Sequence, residues 1–483
     1  MKWWDGGVRR RVSLAVVNAA VLAAAAHGAV RWAALGASAI GMLLVLRSLR
    51  FGAPSGTWTL PCVPCVPGAA LIGRGFEWTV ETAQDFMDGG PVAWPSDREL
   101  FLPDELLARH LLILGTTGVG KTRLLELLAL QAIARGDAVV VIDPKGDEGL
   151  RARLASAAGG RWKLFSLPHP ARSIRYNPVG RYREVREIAD RVAALLPSSG
   201  DALPFRNFAW EIVHVAAREI HGKRPMTLRN LKQGALDRPV KPLAERPREH
   251  YLKMASALIP ILSKLATEQL SPESGGLAWE EVDCERQVVY FSLGSLLGFE
   301  TASAVAKMAI LDLQGYIGDR MAHAKGQRPI WLFIDEMADA ATVELVSLLG
   351  KSRGAGLRII GCAQTVSDLE AALGSRARAL QVVANVNTLI QFRSPGGPDA
   401  ETFSDAAGSR LLRTRSESAA YEPALLGSGL KTVDDFRARF GEILGWSERP
   451  LVPSWAVVQL PIFHFFARLS EGRVYRGRVP LLA

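Results

Sequence analysis

Unbroken apolar runs, each closed by a polar or glycine-bearing turn, recur along this chain and alternate with stretches of helical spacing. His110–Leu114, the VVVI of 139–142, VVYF (288–291) and IWLFI (330–334) are such runs, and Leu357–Ala363 and LIQFR (389–393) come close to them, broken only by Arg358 and by Gln391 and Arg393. None alternates with polar residues, the pattern of strands in a parallel sheet covered on both faces. After the first run and a Gly-rich turn comes a Leu-rich segment at helical spacing that stops at Gly136. From about 182 to 283 the strand signal vanishes. YREVREIADRVAALL, RNFAWEIVHVAAREI and EHYLKMASALIPILSKLATEQL have helical periodicity and are separated by prolines, among them Pro225, Pro239, Pro242 and Pro247. The pattern predicts an α/β fold with a mostly parallel sheet and an all-α insertion, because strands resume after it with the same character.

The front of the chain reads differently. Residues 12–30 carry no charged side chain, and a second apolar run follows from 33 to 46. The first is long enough to cross a hydrocarbon core of ~30 Å; the second is shorter. Lys2, Arg9, Arg10 and Arg11 precede the pair, and Arg47 and Arg50 follow it. Basic residues at both outer ends predict a transmembrane hairpin with both termini cytoplasmic. A cleaved signal peptide and a single tilted span are the competing readings. Residues 51–98, punctuated by LPCVPCVPG and DGGPVAWPSD, read as a linker that contains a β-like patch, LIGRGFEWTV.

The turn after His110–Leu114 is Gly115, Thr116, Thr117, Gly118, Val119, Gly120, Lys121, Thr122. Strand, G-x-x-x-x-G-K-T and helix together make a phosphate-binding loop. Its glycines let backbone N–H groups and a helix N-terminus approach phosphate closely. Lys121 is expected on the β- and γ-phosphates of ATP, and Thr122 on Mg²⁺. A second hydrophobic strand ends in Asp335 and Glu336. Asp335 is the candidate for the Mg²⁺ shell, Glu336 for orienting the attacking water. Gln364, at the tip of a third strand, is a candidate sensor of the γ-phosphate. Lys351, Ser352 and Arg353 lead a basic turn, from which Arg353 could reach a neighbouring subunit's nucleotide; Arg393 is a weaker candidate for that task.

Charge and cysteines change this picture little. Lys and Arg number 58 against 48 Asp and Glu, a formal net charge of +10. That balance suits an anionic partner, nucleic acid or an acidic membrane surface. Cys62 and Cys65 form a C-x-x-C with no second pair at metal-ligand spacing, so a proline-stiffened linker is the preferred reading. Cys284 and Cys362 sit in apolar stretches and read as core.

GTTGVGKTR (115–123), VIDPKGD (141–147), FIDEMA (333–338) and KSRGAGLRIIGCAQT (351–365) together resemble the TraD/TraG-type conjugative coupling proteins, motors related to FtsK and HerA. RYNPVGR (175–181), FRNFAW (205–210) and LIGRGFEW (71–78) are similar to the TraD subgroup of integrative conjugative elements, as is the closing VYRGRVPL (474–481). The resemblance, which covers about 70 to 400, implies a RecA-like P-loop ATPase domain, to which the apolar runs add a membrane anchor at 1–50 and the proline- and glycine-punctuated stretch a linker at 51–98. The nucleotide-binding domain would occupy 99–181 and 284–400, interrupted by an all-α domain at 182–283 and completed by 401–483. It implies catalytic roles for Lys121, Asp335, Glu336, Gln364 and Arg353, with Arg353 as the arginine finger of a homo-hexamer. It further implies single-stranded DNA with its relaxase or relaxosome, and type IV secretion channel proteins, as partners. The location it implies is the bacterial inner membrane, with a cytoplasmic ATPase domain. A docking receptor whose nucleotide site controls only assembly, and a double-stranded DNA translocase of the FtsK kind, are the alternatives.

Overall fold

A computed structural model of the chain describes residues 59–60, 62–88, 94–197, 202–236, 247–321, 328–423 and 436–482. The two apolar runs expected to form a membrane hairpin lie outside these residues. No helix among the described residues is long and apolar enough to cross a membrane. The described chain divides into two compact units.

The larger unit, 59–76, 97–406 and 454–483, is built on an eleven-stranded sheet. In chain order its strands are β1 (Ala69–Glu77), β2 (Arg98–Pro103), β3 (Leu111–Leu114), β4 (Ala138–Asp143), β5 (Trp162–Ser166) and β6 (Val288–Ser292). They continue with β7 (Ile330–Asp335), β8 (Leu357–Ala363), β9 (Thr388–Gln391), β10 (His464–Arg468) and β11 (Val474–Arg478). Across the sheet the order is β2-β1-β11-β10-β9-β3-β8-β7-β4-β6-β5. The seven strands from β9 to β5 are all parallel. β10 returns antiparallel on β9, and β11 antiparallel on β10. This is a mixed α/β fold with a large, mostly parallel sheet, consistent with a RecA-like P-loop ATPase core. The unbroken apolar runs are explained by it: every residue of β3, β4, β6 and β7 is buried, so no polar face is available for alternation.

The β-like patch is β1 as far as Glu77, a strand of the main sheet, and its end at Thr79 and Val80 starts a helix. The hairpin β10–β11 had no distinct signal in the sequence, yet it extends the sheet on β9, the strand next to the P-loop strand β3. Cys362 is buried in β8, whereas Cys284 is exposed at the end of a short helix. The core reading of Cys284 is therefore incorrect: it ends a short helix between Asp283 and Glu285-Arg286, charged residues on both sides that keep this position in solvent.

Between β5 and β6 the described chain has helices and no strand. With α1 (Lys121–Ala134) already following the P-loop, the insertion's main helices are α2 (Val185–Ala193), α3 (Leu203–Ile220), α4 (Leu228–Leu236), α5 (Arg248–Ala255) and α6 (Leu258–Leu265). They are followed, after β6, by the long α7 (Ser295–Met321), which breaks at Gly298, and later by α8 (Val343–Lys351). The insertion's apolar positions face inward, with Ile188, Val192, Phe208, Ile212, Val213 and Leu231 all buried.

A buried polar knot ties this helical region to the sheet. Asp312 of α7, 2% exposed, accepts hydrogen bonds from Arg191 (2.8 Å), the Tyr176 hydroxyl (2.9 Å) and the Trp279 indole (2.7 Å). A buried carboxylate persists only where such donors compensate its lost hydration. At the surface Arg206 of α3 pairs with Glu344 of α8 at 2.8 Å, a second, weaker tie.

The smaller unit, within 77–96 and 407–453, pairs two long antiparallel strands, Ser409–Pro423 and Phe436–Pro450. The Gln84 amide brackets the backbone of Arg413, donating to its carbonyl at 3.0 Å and accepting from its N–H at 2.7 Å. The Trp78 indole donates to the Leu451 carbonyl at 2.9 Å and packs against Phe86 and Trp94.

Asp312→Ala leaves the buried Arg191 guanidinium with only the looser Glu187 contact at 3.9 Å, which costs about 3 kcal/mol. Chemical denaturation followed by circular dichroism should show the midpoint falling accordingly, while Arg206→Ala shifts it little.

Candidate functional site

The P-loop connects β3 to α1. Its shape depends on glycine at three positions: Gly115, Gly118 and Gly120 have φ of 150°, 77° and 117°. A Cβ at Gly115 would lie 2.7 Å from Phe392, and one at Gly120 would lie 2.9 Å from Phe463. At Gly118 a Cβ would meet nothing within 4 Å. The loop is therefore walled on its protein side and open on the other. The wall comes from segments distant in sequence. The Arg393 carbonyl accepts from the Thr116 N–H at 2.9 Å, and the Phe463 N–H donates to the Val119 carbonyl at 2.9 Å.

Lys121 is buried and donates to the carbonyls of Gly115 (2.6 Å) and Thr116 (3.0 Å). Burial lowers its pKa, opposed in part by the charges of Glu336 and Asp335. Those acids stand at the end of β7, two strands from β3 across β8. The Thr122 hydroxyl donates to the two carboxylate oxygens of Asp335, each at 3.3 Å. Residues 213 positions apart are thus joined at the first turn of α1.

Asp335 and Glu336 are 4% and 6% exposed. Burial pushes the Asp335 carboxyl up from 3.8 to about 6; Asp143 and Glu336 add to the rise, and Lys145 and Lys121 oppose it. A buried carboxyl beside a threonine hydroxyl, with two further acids at hand, is a place where a divalent cation would relieve stored repulsion. No described group of three or more His, Cys, Asp or Glu side chains could hold a metal by itself. That fits Mg²⁺, which takes one or two protein ligands and completes its shell from phosphate and water.

Glu336 has φ 89° and ψ 74°, a left-handed conformation that costs a non-glycine residue of order 1–3 kcal/mol. Two side chains hold its carboxylate there: the Lys145 ammonium at 3.0 Å and the Gln364 amide at 3.2 Å. Gln364 also accepts from the Thr117 hydroxyl at 3.3 Å, and its backbone carbonyl accepts from the Gly115 N–H at 3.2 Å. One glutamine therefore touches both the phosphate loop and the acid.

Lys145, inside the DPKGD turn, has no signal in the sequence that gives it a role at the site. The motif's Asp143 explains the placement. Its carboxylate accepts from the N–H groups of Lys145, Gly146 and Asp147 (2.9, 2.9 and 2.5 Å) and from the Tyr290 hydroxyl. The DPKGD turn is wound around one buried carboxylate, and this aims Lys145 at Glu336. Burial would lower the Lys145 pKa, but the hydrogen bond and charge of Glu336 raise it overall. Phe463 and Phe392, which support the loop, also escaped the sequence reading, since an aromatic residue with no partner nearby carries no signal.

The structure thus brings together the loop from Gly115 to Thr122, Asp335, Glu336 and Gln364. It does not bring Arg353 to them. Arg353 is exposed in a turn before β8, and the site lies past the other end of that strand. Seven strand residues separate them, roughly 23 Å at about 3.3 Å per residue. Arg393 lies beside the P-loop of its own chain through its carbonyl. A separate cleft of about 550 Å³ opens between α2, α3, α7 and α8 and shares only Lys351 and Ser352 with the finger turn.

Residues 100–176 match the family model "Helicase HerA, central domain", and residues 329–438 match "TraM recognition site of TraD and TraG". No curated protein matches the chain. Among solved structures it is similar to the bacterial conjugative coupling protein TrwBdeltaN70 in its unbound form, at 18% identity and a TM-score of 0.57, covering 79% of this chain and 86% of that one. TrwB in complex with ADP and Mg²⁺ gives the same identity, coverage and score. VirB4 of Thermoanaerobacter pseudethanolicus follows at 12% identity and a TM-score of 0.50, covering 86% of this chain and 97% of that one. At these identities the structural likeness establishes a shared fold.

The raised Asp335 pKa has a consequence for stability. A carboxyl with a folded-state pKa above its unfolded value stabilises the fold below pH 3.8, and that contribution is lost as pH rises through about 6. Asp335→Asn mimics the protonated form at every pH. In nucleotide-free protein the variant should match the natural chain near pH 4 and exceed it by about 3 kcal/mol above pH 6.5, in denaturation series run across that range.

With a match to a HerA-type central domain ahead of a match to a TraD/TraG region, on a fold shared with a conjugative coupling protein, the chain is similar to the TraD/TraG-type coupling proteins.

Proposed function

We propose that this chain is an ATPase that assembles as a ring, most simply a hexamer, and moves DNA with its attached relaxase into a type IV secretion channel. The observation that carries this reading is the meeting of Thr122 with Asp335, which makes one nucleotide pocket from the two halves flanking the helical insertion. The similarity to TrwB, solved with ADP and Mg²⁺ and with a non-hydrolysable ATP analogue, supports ATP and Mg²⁺ as what the pocket takes. In this reading residues 12–30 and 33–46 anchor the ring in the bacterial inner membrane, and the net charge of +10 suits a polyanionic substrate.

The chemistry follows from the side chains. Backbone N–H groups of the glycine loop cradle the phosphates. Lys121 gives up the carbonyls of Gly115 and Thr116 for phosphate oxygens, replacing neutral acceptors with charged ones. Thr122 and Asp335 would hold Mg²⁺, which supplies charge neutralisation on the phosphate oxygens. Glu336 orients water for in-line attack, but only once its carboxylate is released from Lys145. Lys145 is half exposed, so a γ-phosphate can draw its ammonium away and leave Glu336 free to accept from water. Gln364 reports the same event, because it bridges Thr117 and Glu336 and one of those contacts must change when phosphate enters. Arg353, remote from its own pocket, completes the pocket of the adjoining subunit, where an arginine stabilises the charge of the transferring phosphoryl group. DNA would be gripped through its phosphates without sequence readout, so binding should weaken steeply with salt.

ATP turnover by the full chain in detergent, with and without single-stranded DNA, tests the reading. DNA should stimulate turnover at low salt, Lys121→Ala should abolish it, and Arg353→Ala should lower kcat by ~10³ with nucleotide binding retained. Slow hydrolysis indifferent to DNA would favour a docking receptor instead.

A further inference from the structure

His110 stands immediately before β3 and is 1% exposed, with φ 63°. A non-glycine residue is held in that region only where its surroundings fix it. The fixing contacts are specific. Ring atom Nδ1 accepts from the backbone N–H of Ile359 in β8 at 3.1 Å, taking a hydrogen bond that a strand carbonyl would otherwise accept. That bond makes Nδ1 the bare nitrogen and Nε2 the protonated one. Nε2 lies 3.3 Å from the Ser352 hydroxyl, and the Leu349 backbone is within hydrogen-bonding reach of the ring. Leu349 belongs to α8, and Ser352 directly precedes Arg353. Burial, with the positive charge of Arg353 adding to it, lowers the His110 pKa to about 4, so the ring is neutral and its donor and acceptor assignments hold at neutral pH.

We infer that His110 is a positioning residue for Arg353: its imidazole ties the finger turn to β3, whose other end is the subunit's own phosphate loop. Strands β3 and β8 are paired along Leu111–Leu114 and Ile360–Ala363, so the two form a rigid plate. One end of the plate carries the P-loop and Gln364; the other carries His110, Ser352 and the finger. A change of the loop on nucleotide binding or release is thereby transmitted to the arginine offered to the neighbour. The nucleotide state of one subunit would in this way set how well it completes the next pocket, a link a motor needs if its subunits are to fire in order. A neutral histidine suits this place because its flat ring presents an acceptor to the strand N–H on one side and a donor to the turn on the other. The inference rests on the reading of Arg353 as acting in a neighbouring subunit.

Two defective full-length chains, mixed, separate the questions. The first carries Arg353→Ala and keeps an intact pocket; the second carries Lys121→Ala and keeps an intact finger. Each alone should be inactive, and mixing should restore DNA-stimulated ATP turnover. Adding His110→Asn to the second chain is the test. Asparagine accepts a left-handed φ and keeps a short acceptor for the Ile359 N–H, but falls short of Ser352 and Leu349. The restored kcat should fall at least tenfold with KM for ATP within twofold, since the working pocket belongs to the unaltered partner. Ser352→Ala in the same chain should give a smaller fall, and the two changes together no more than His110→Asn alone. A melting temperature for the altered chain within a few degrees of its parent guards against misfolding, and Ser352→Ala serves if His110→Asn fails that control. Full restoration by the His110→Asn or, in that event, the Ser352→Ala chain overturns the inference while leaving the finger reading intact. Absence of any recovery in the parent mixture overturns the finger reading itself, and this inference with it.

Discussion

Everything in the larger unit depends on delivering two carboxylates, buried and close together, to the first turn of α1. Asp335 and Glu336 are out of water beside Asp143, and burial raises the Asp335 carboxyl's pKa accordingly. Such an arrangement is unfavourable unless neighbours hold it, and the neighbours are identifiable: Thr122 on Asp335, Lys145 and Gln364 on Glu336. Each comes from a different strand end, β3, β4 and β8, all on the same edge of a parallel sheet. The parallel order is what makes this possible, because it gathers the C-terminal ends of consecutive strands along one line.

The site is held from behind as well as in front. Asp143 spends its hydrogen bonds on the DPKGD backbone and on Tyr290, so its contribution is the aim of Lys145. Phe392 and Phe463 wall the glycine loop, and a side chain at Gly115 or Gly120 would collide with them. The two strands after Phe463 continue the sheet from β9 toward β1 and β2, so a segment remote in sequence shapes the phosphate loop. At the opposite end of β3, His110 occupies a left-handed position and braces the finger turn. Strained or buried polar residues therefore sit at both ends of β3, with its four buried apolar residues between them.

The helical insertion interrupts the sheet without disturbing it, because β6 rejoins between β4 and β5. Asp312 is the fastening, a carboxylate on α7 that collects donors from α2, from the segment after β5 and from the helix before β6. Polar fastening of this kind has directional requirements that apolar packing lacks, and it sets one orientation of helices on sheet.

The strand runs, the phosphate loop, the acid pair and the strand-end glutamine were legible in the residue order, since each is a local pattern with a fixed physical reason. Unbroken apolar stretches have only a doubly covered strand to form, and glycine at 115, 118 and 120 has a backbone shape to supply. The partners of Glu336, the wall of Phe392 and Phe463, the hairpin β10–β11 and the brace at His110 were not legible. Each is a contact between segments far apart in the chain, and a lone lysine, phenylalanine or histidine looks alike whether it faces water or a catalytic acid. Local spacing can encode what the backbone will do over a few residues; which side chains then meet is set by strand order and register, and these emerge only when the whole sheet is assembled.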